Sequence, residues 1–413
     1  MEVVVRIDHG KGENFLLIED ERSIHNEYYW SRRFLDACSG SWERLIIPGD
    51  DNITVVRKMP HQLRIAIRRV DNIEEFRGIS KLSKSLPMRK FNVLIGKNNS
   101  GKSAMLEALF LTVGFITNRA VLPVNKRIGP EVNLDLVLAE PITGVSILKF
   151  LESRHKSRRS LIYKYTGSAK ISLDLNPIGK IGIELDSKGS TRKLHGPQIE
   201  FDSMGFVKKL HGARIENKEP FEFRKVLYFP YDTRFIKDID TFLESQEDTI
   251  IKKGLHTEVA KLISSNLDEN FTEIVLKKDG WYLRREDASY VHVDDVGDGL
   301  KKVVRVVMSI ELINPSIILW DDFDTSLHPS MIKMLLNWLT KRDWQVVLST
   351  HSIDVLYYLA DLSEEIEYFD AQVVLLKKDQ KDVLHHQELT MDELEDLLEG
   401  NVDPRMLVSE LKI

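Results

Sequence analysis

Residues 91–115 read FNVLIGKNNSGKSAMLEALFLTVGF, and this stretch decides the fold. Phe91 to Ile95 form a short apolar run with strand character. Gly96-Lys97-Asn98-Asn99-Ser100-Gly101-Lys102-Ser103 then spell G-x-x-x-x-G-K-[ST], and apolar residues at 105, 106, 109, 110 and 113 follow at helical spacing. Strand, glycine-rich loop and helix in that order form the context a phosphate-binding loop requires. The glycines let backbone N–H groups turn towards a polyphosphate, and the helix N-terminus adds its positive end. In such a loop Lys102 reaches the β- and γ-phosphates and the Ser103 hydroxyl sits on Mg²⁺.

A nucleotide held there needs a second ligand for its Mg²⁺, commonly an Asp that ends a neighbouring buried strand. SIILWDDFDTSLHP, residues 316–329, supplies one: the run Ile317 to Trp320 leads into Asp321, Asp322 and Asp324. Clustered acids at a buried strand end repel one another and cost desolvation unless a cation uses them. A solvated acidic turn is the simpler alternative for this stretch alone. Asp321 lies far along the chain from Lys102, which implies an insertion between the halves. The chain has no Asn-Lys-x-Asp guanine-reading motif near its C-terminus, so adenine is the expected base, and ATP the expected nucleotide.

Two further pieces flank the acidic strand. In DVGDGLKKVVRVVMSIELI, residues 295–313, Gly297, Asp298 and Gly299 open a helix that carries Lys301 and Lys302 at its start. Glycines before a helix make a second anion cradle. With one nucleotide already held by Gly96 to Ser103, this cradle is expected to meet the γ-phosphate of another subunit's ATP, unless it is an ordinary turn. Downstream, Val346 to Leu348 end in Ser349-Thr350-His351-Ser352. His351 is either structural or placed to sense a γ-phosphate and orient water.

Bulk properties set the frame. The 413 residues suffice for two or three structural units, and 42% hydrophobic with 30% charged residues is a globular composition. No 18-residue apolar run or signal-type leader is present, so a soluble cytoplasmic protein without membrane contact is expected. The single cysteine, Cys38, can form neither an internal disulfide nor a zinc site alone, which fits a reducing compartment. The net charge of −6 is segregated: residues 154–225 hold 16 Lys/Arg against 8 Asp/Glu. Its densest piece, RHKSRRSLIYKY at 154–165, interleaves Tyr163 and Tyr165 with basic residues. It is either a solvated face or a phosphate-tracking arm with aromatic contacts for nucleic acid. TMDELEDLLEG at 390–400 reads as an acidic amphipathic helix with Thr390 as N-cap and Gly400 as stop.

Taken in order, the phosphate loop, long insertion, Gly-x-Gly helix, ILWDDFDTSLHP and LSTHS resemble the ATP-binding-cassette class of P-loop ATPases. The likeness is to soluble SMC-like and OLD-like heads, often described as AAA-family ATP-binding proteins. RRVDNIEEFRGISK, residues 68–81, is similar to that class's entry strand, and the likeness runs to DPRML at 403–407. It implies an α/β, two-lobed P-loop NTPase with an inserted β-rich or mixed arm. The expected boundaries are 1–60 for an N-terminal extension, 61–150 for the first lobe, 151–225 for the basic arm and 226–413 for the second lobe.

The resemblance further implies a homodimer with ATP between two heads. Gly96 to Ser103, Asp321 and His351 would come from one subunit, and Gly297 to Lys302 from the other. Asp324 to Pro329 would line the seam. Asp322 occupies the position where the class usually has Glu as the water-polarising carboxylate, one methylene shorter, which predicts slow hydrolysis. Gly297 replaces a frequent Ser, and the class's metal-contacting glutamine has no good counterpart; Gln198 is a poor one. The 62 residues after His351 are too few for the Toprim nuclease domain of many OLD-like relatives, so any cleavage would need a partner. The expected function is an ATP switch acting on nucleic acid in repair or defence. The alternative is a regulatory or assembly ATPase recruiting a protein partner, with a transporter motor weaker still.

Overall fold

The computed structural model describes residues 61–117, 120–121 and most of 151–408, with four short strands before residue 60. Cys38 and the rest of the expected N-terminal extension lie outside the described residues. Two compact units form. One takes residues 1–63, 199–210 and 216–223; the other takes 64–198, 211–215 and 224–413. The first holds all but the end residues Gln198 and His211 of a four-stranded sheet of Gln198–Phe201, Val207–His211, Phe221–Phe223 and His61–Leu63, in that order. It also contains the hairpin of Arg6–Gly10 with Glu13–Leu17.

The second unit is built on one large sheet, flanked by helices. Its main elements are β1 (Ala66–Phe76), β2 (Ile79–Leu82), β3 (Phe91–Ile95), α1 (Lys102–Thr117), β4 (Ser168–Asn176), β5 (Gly179–Asp186), β6 (Thr191–His195) and β7 (Val226–Phe229). There follow α2 (Phe235–Ser245), α3 (Asp298–Ile313), β8 (Ile317–Trp320), α4 (Pro329–Thr340), β9 (Gln345–Ser349), α5 (Ile353–Glu365), β10 (Ala371–Lys378), β11 (Val383–Leu389), α6 (Met391–Glu399) and α7 (Pro404–Leu407). The sheet order is Ala120–Val121, β7, β8, β9, β3, β10, β11, β2, β1, β4, β5, β6.

This sheet has two halves. From β7 to β10 every neighbouring pair is parallel, so all five strands bring their carboxyl ends to one edge. Parallel strands covered on both faces read as continuous apolar runs, and IILW, QVVLS and FNVLI are each buried throughout. From β1 to β6 the pairing is antiparallel, with β1 joined to β4 through Ile171↔Ile73 and Leu173↔Val70. At the strand starts, the buried amides of Gln345 and Asn92 bond the backbone of Ile67, Arg89 and Val346. These bonds stand in for the water that buried amides have lost.

The mixed α/β architecture is the expected one. The segment 151–225, expected as a single arm, does not stay together. Residues 168–195 form β4 to β6 of the large sheet, whereas strands within 198–223 belong to the four-stranded sheet. The cause is apolar spacing: Ile171, Leu173, Ile181 and Ile183 are buried, a face that a free arm could not keep from water. Near the C-terminus, α6 starts at Thr390 with a full capping box to Glu393 and stops at Gly400. No helix among the described residues is long and apolar enough to cross a membrane.

Candidate functional site

The site lies at the shared carboxyl edge of β3, β8 and β9, which are adjacent through β9. Such an edge, with loops leading into helices, is where open parallel sheets hold ligands. After Ile95 the chain turns through Gly96, where an added Cβ would sit 2.5 Å from the carbonyl of Leu376. Gly101 has φ of 101°, a backbone that suits only glycine. Helix α1 then runs through the core, buried nearly all round, and its first residue is Lys102.

The Lys102 side chain folds back over the loop. Its ammonium donates to Gly96 O at 3.0 Å and Lys97 O at 3.4 Å, and reaches His351 Nε2 at 2.9 Å. Burial lowers its pKa, while the carboxylates of Asp322, Asp321 and Asp324 act to raise it. A cleft of about 320 Å³ opens beside the loop, between Lys97–Ser100 and Leu376–Asp379.

Asp321 follows β8, and its N–H donates to Phe229 O of β7 at 2.8 Å. Its Oδ1 accepts from Ser349 Oγ at 2.6 Å. Its Oδ2 is buried and has no hydrogen-bond partner among the described residues. Burial pushes its pKa up, opposed by the hydroxyls of Ser349 and Ser103. An orphaned carboxylate oxygen beside the Ser103 hydroxyl suits a divalent cation, which would keep the acid ionised. Ser103 and Asp321 therefore fit Mg²⁺. Among the described residues no group of three or more His, Cys, Asp or Glu is placed to hold a metal unaided. The remaining positions around the cation would fall to phosphate oxygens and water.

Asp322 adopts a left-handed backbone, φ 48°, and its N–H donates to the same Ser349 Oγ at 2.8 Å. One serine hydroxyl thus orders both acids, a residue the motif reading passed over. Asp324 does not simply begin a seam loop. Its Oδ1 accepts from Thr350 Oγ1 and, at 3.4 Å, from the His351 N–H, tying the acidic loop to the end of β9. On the other side Arg405 of α7 donates to the His351 carbonyl at 2.8 Å and pairs with Asp403.

The Gly-x-Gly helix begins as expected, with Gly297 as N-cap of α3. Lys301 pairs with Asp298 at 3.4 Å. Lys302, expected with its neighbours to face another subunit, is instead engaged within its own chain. Its ammonium donates to the carbonyls of Asp322 at 3.4 Å, Phe323 at 3.1 Å and Thr325 at 3.0 Å. Gly299 is packed so closely that a Cβ would lie 2.5 Å from Ser326 O, whereas a Cβ on Gly297 would meet nothing within 4 Å among the described residues. Further along the helix, buried Arg305 pairs with Asp240 of α2 and with Asp294.

Gln198 lies in the strand Gln198–Phe201 of the other sheet. The chain that continues from β7 beside Asp321 is Pro230–Tyr231, with no glutamine. A cluster with no warning in the motifs sits one helical turn after Ser103. Fully buried Glu107 receives Arg77 at 3.0 Å, His155 at 3.0 Å and Arg154 at 3.6 Å. Arg154 also lies over the Tyr231 ring, 5.1 Å from its centre. Tyr163 donates to Asp382 at 2.9 Å. Parts of the basic stretch 154–165 are therefore anchored on the large-sheet unit, while Lys164 and Tyr165 remain exposed.

Solved structures share this fold. An SMC head bound to the C-terminal winged-helix domain of ScpA has a TM-score of 0.50 at 11% identity, covering 79% of this chain and 99% of that one. The SMC head from Thermotoga maritima scores 0.38 at 12% identity, over 79% and 100%. The recombination mediator RecF scores 0.40 at 11% identity, over 80% and 100%. No curated protein matches the chain. Residues 91–356, from the first residue of β3 into α5 and hence across every motif of the site, match one family over more than half the chain. The chain is an SMC-like P-loop ATPase head in fold, and it belongs to the family described as "AAA domain, putative AbiEii toxin, Type IV TA system".

Proposed function

We propose that the chain binds ATP with Mg²⁺, hydrolyses it slowly at the interface of a head-to-head homodimer, and uses the cycle as a switch acting on nucleic acid in repair or genome defence. One observation carries this reading: Lys102, Asp321, Asp322 and His351 converge at the ends of three adjacent parallel strands. The loop N–H groups and Lys102 would take the β- and γ-phosphates, and Ser103 with Asp321 would hold Mg²⁺. When bound, Mg²⁺ supplies charge neutralisation on the phosphates. Asp322 is the carboxylate assigned to the attacking water, and His351 the group that orients it. The α3 N-terminus at Gly297, Asp298 and Gly299, with Lys301, is assigned to the γ-phosphate of the opposing subunit.

The nucleic-acid target rests on the positive balance of residues 154–225, and the defence branch on the toxin named in the family's description. The anchoring of Arg154, His155 and Tyr163 favours a second reading, a regulatory ATPase whose acidic helix α6 recruits a protein. Phosphate release and sizing with and without ATP, for the parent and Lys102→Ala, test the switch. An alanine variant that dimerises in ATP as the parent does overturns it. Binding to duplex DNA measured against salt separates the targets: a steep loss with salt supports nucleic acid, and no measurable binding leaves the protein partner.

A further inference from the structure

We propose that Lys302 is a positioning residue for Asp322: its ammonium clamps the backbone of its own acidic loop and so sets where the Asp322 carboxylate points. The inference rests on the ATPase reading above. Three carbonyls, those of Asp322, Phe323 and Thr325, receive the three donors of one ammonium, which leaves none for a neighbouring subunit's phosphate. The Trp320 ring lies 5.4 Å from the same nitrogen and favours a cation there.

The clamped loop needs such support. Asp322 and Ser326 both hold left-handed backbones, φ 48° and 65°, and strained residues persist only where their surroundings fix them. Asp322 is held at its N–H by Ser349 and at its carbonyl by Lys302, so both peptide planes around its Cα are fixed from outside. Gly299 lets α3 approach Ser326 closely enough for this. A short carboxylate gains most from a fixed backbone, since a displacement of about 1 Å can cost on the order of 100-fold in rate. The charged groups facing the ammonium are the Asp324 and Asp322 carboxylates, which favour its charged form, whereas burial brings its pKa down to about 8.

The test compares the parent, Lys302→Met and Lys302→Arg. ATP affinity is read by equilibrium dialysis of labelled ATP, hydrolysis by single-turnover phosphate release from pH 6 to 10, and dimerisation by sizing in ATP. Lys302→Met is expected to lower the hydrolysis rate about 100-fold with Kd for ATP within about threefold of the parent. Lys302→Arg is expected to restore at least about a tenth of the parent rate, because guanidinium still donates to the loop carbonyls. A parent-like rate in Lys302→Met, or an equal loss of binding and rate, overturns the inference. So does loss of the ATP-dependent dimer, which would return Lys302 to the opposing subunit. Should Lys302→Met fail to fold, an equal loss of ATP affinity and rate in Lys302→Arg overturns it alone. A parent that binds ATP without hydrolysing it overturns the ATPase reading and this inference together, whereas a hydrolysing parent beside an unimpaired Lys302→Met overturns only the latter.

Discussion

The ammonium of Lys102 lies 2.9 Å from Nε2 of His351, so the group that would grip a terminal phosphate and the group that would sense it hold each other. An ammonium can only donate, which assigns the acceptor lone pair to Nε2 and the imidazole proton to Nδ1. On the proposed reading, a triphosphate in the loop would draw Lys102 away and free His351 to face the water. His351→Ala is therefore expected to reduce turnover about 100-fold while leaving equilibrium ATP binding nearly unchanged. A parallel loss of affinity would make His351 part of the binding surface instead.

Asp322→Asn is expected to lower phosphate release by about 100-fold or more, with ATP binding retained. Unchanged release would remove Asp322 as the catalytic carboxylate. Its left-handed backbone also gives a reason for Asp where longer acids are usual, because Asp and Asn tolerate that conformation better than other side chains. Asp322→Glu should cost about 1 kcal/mol of stability in denaturant melts.

The two glycines that open α3 should behave oppositely. Gly299→Ala drives a methyl into the Ser326 carbonyl and is expected to cost about 1–3 kcal/mol. Gly297→Ser meets open space at φ −62° and supplies an N-cap hydroxyl, so stability should stay within about 0.5 kcal/mol. Equal melting temperatures for both variants would refute the packing argument.

Glu107 is fully buried among Arg77, His155 and Arg154, and their hydrogen bond and charges hold its pKa below the usual 4.5 despite burial. A folded pKa below the unfolded one stabilises the protein above the unfolded value, and that contribution disappears as pH falls through the folded pKa. Glu107→Gln should therefore destabilise by about 3–5 kcal/mol at pH 7, since it strands cations in the core. The deficit should narrow below pH 4.5. A deficit constant from pH 7 to pH 3 would show that Glu107 has the same pKa folded and unfolded.

Sequence motifs marked the candidate site residues wherever the chemistry is local. Gly96 to Ser103, Asp321 and His351 each end a buried run, so apolar pattern and loop composition marked them together. Partners separated in sequence left no such mark. Nothing adjacent to Glu107 announces Arg77 or Arg154, and Lys302 reads as a cradle cation until Asp322 and Thr325 are seen beside it. The basic segment misled for a related reason. Its net charge is conspicuous in sequence, whereas the pairing of Ile171 with Ile73 depends on a strand some hundred residues earlier.

The position of β3 between β9 and β10 has a further consequence, which concerns synthesis. The strand that leads into the phosphate loop leaves the ribosome early, but both of its hydrogen-bonding neighbours lie beyond residue 344. At about 5–20 residues per second, its apolar edges wait on the order of tens of seconds for partners. Nascent chains stalled before residue 371 should accordingly need a chaperone, and ATP should protect the loop from protease only once β10 has emerged.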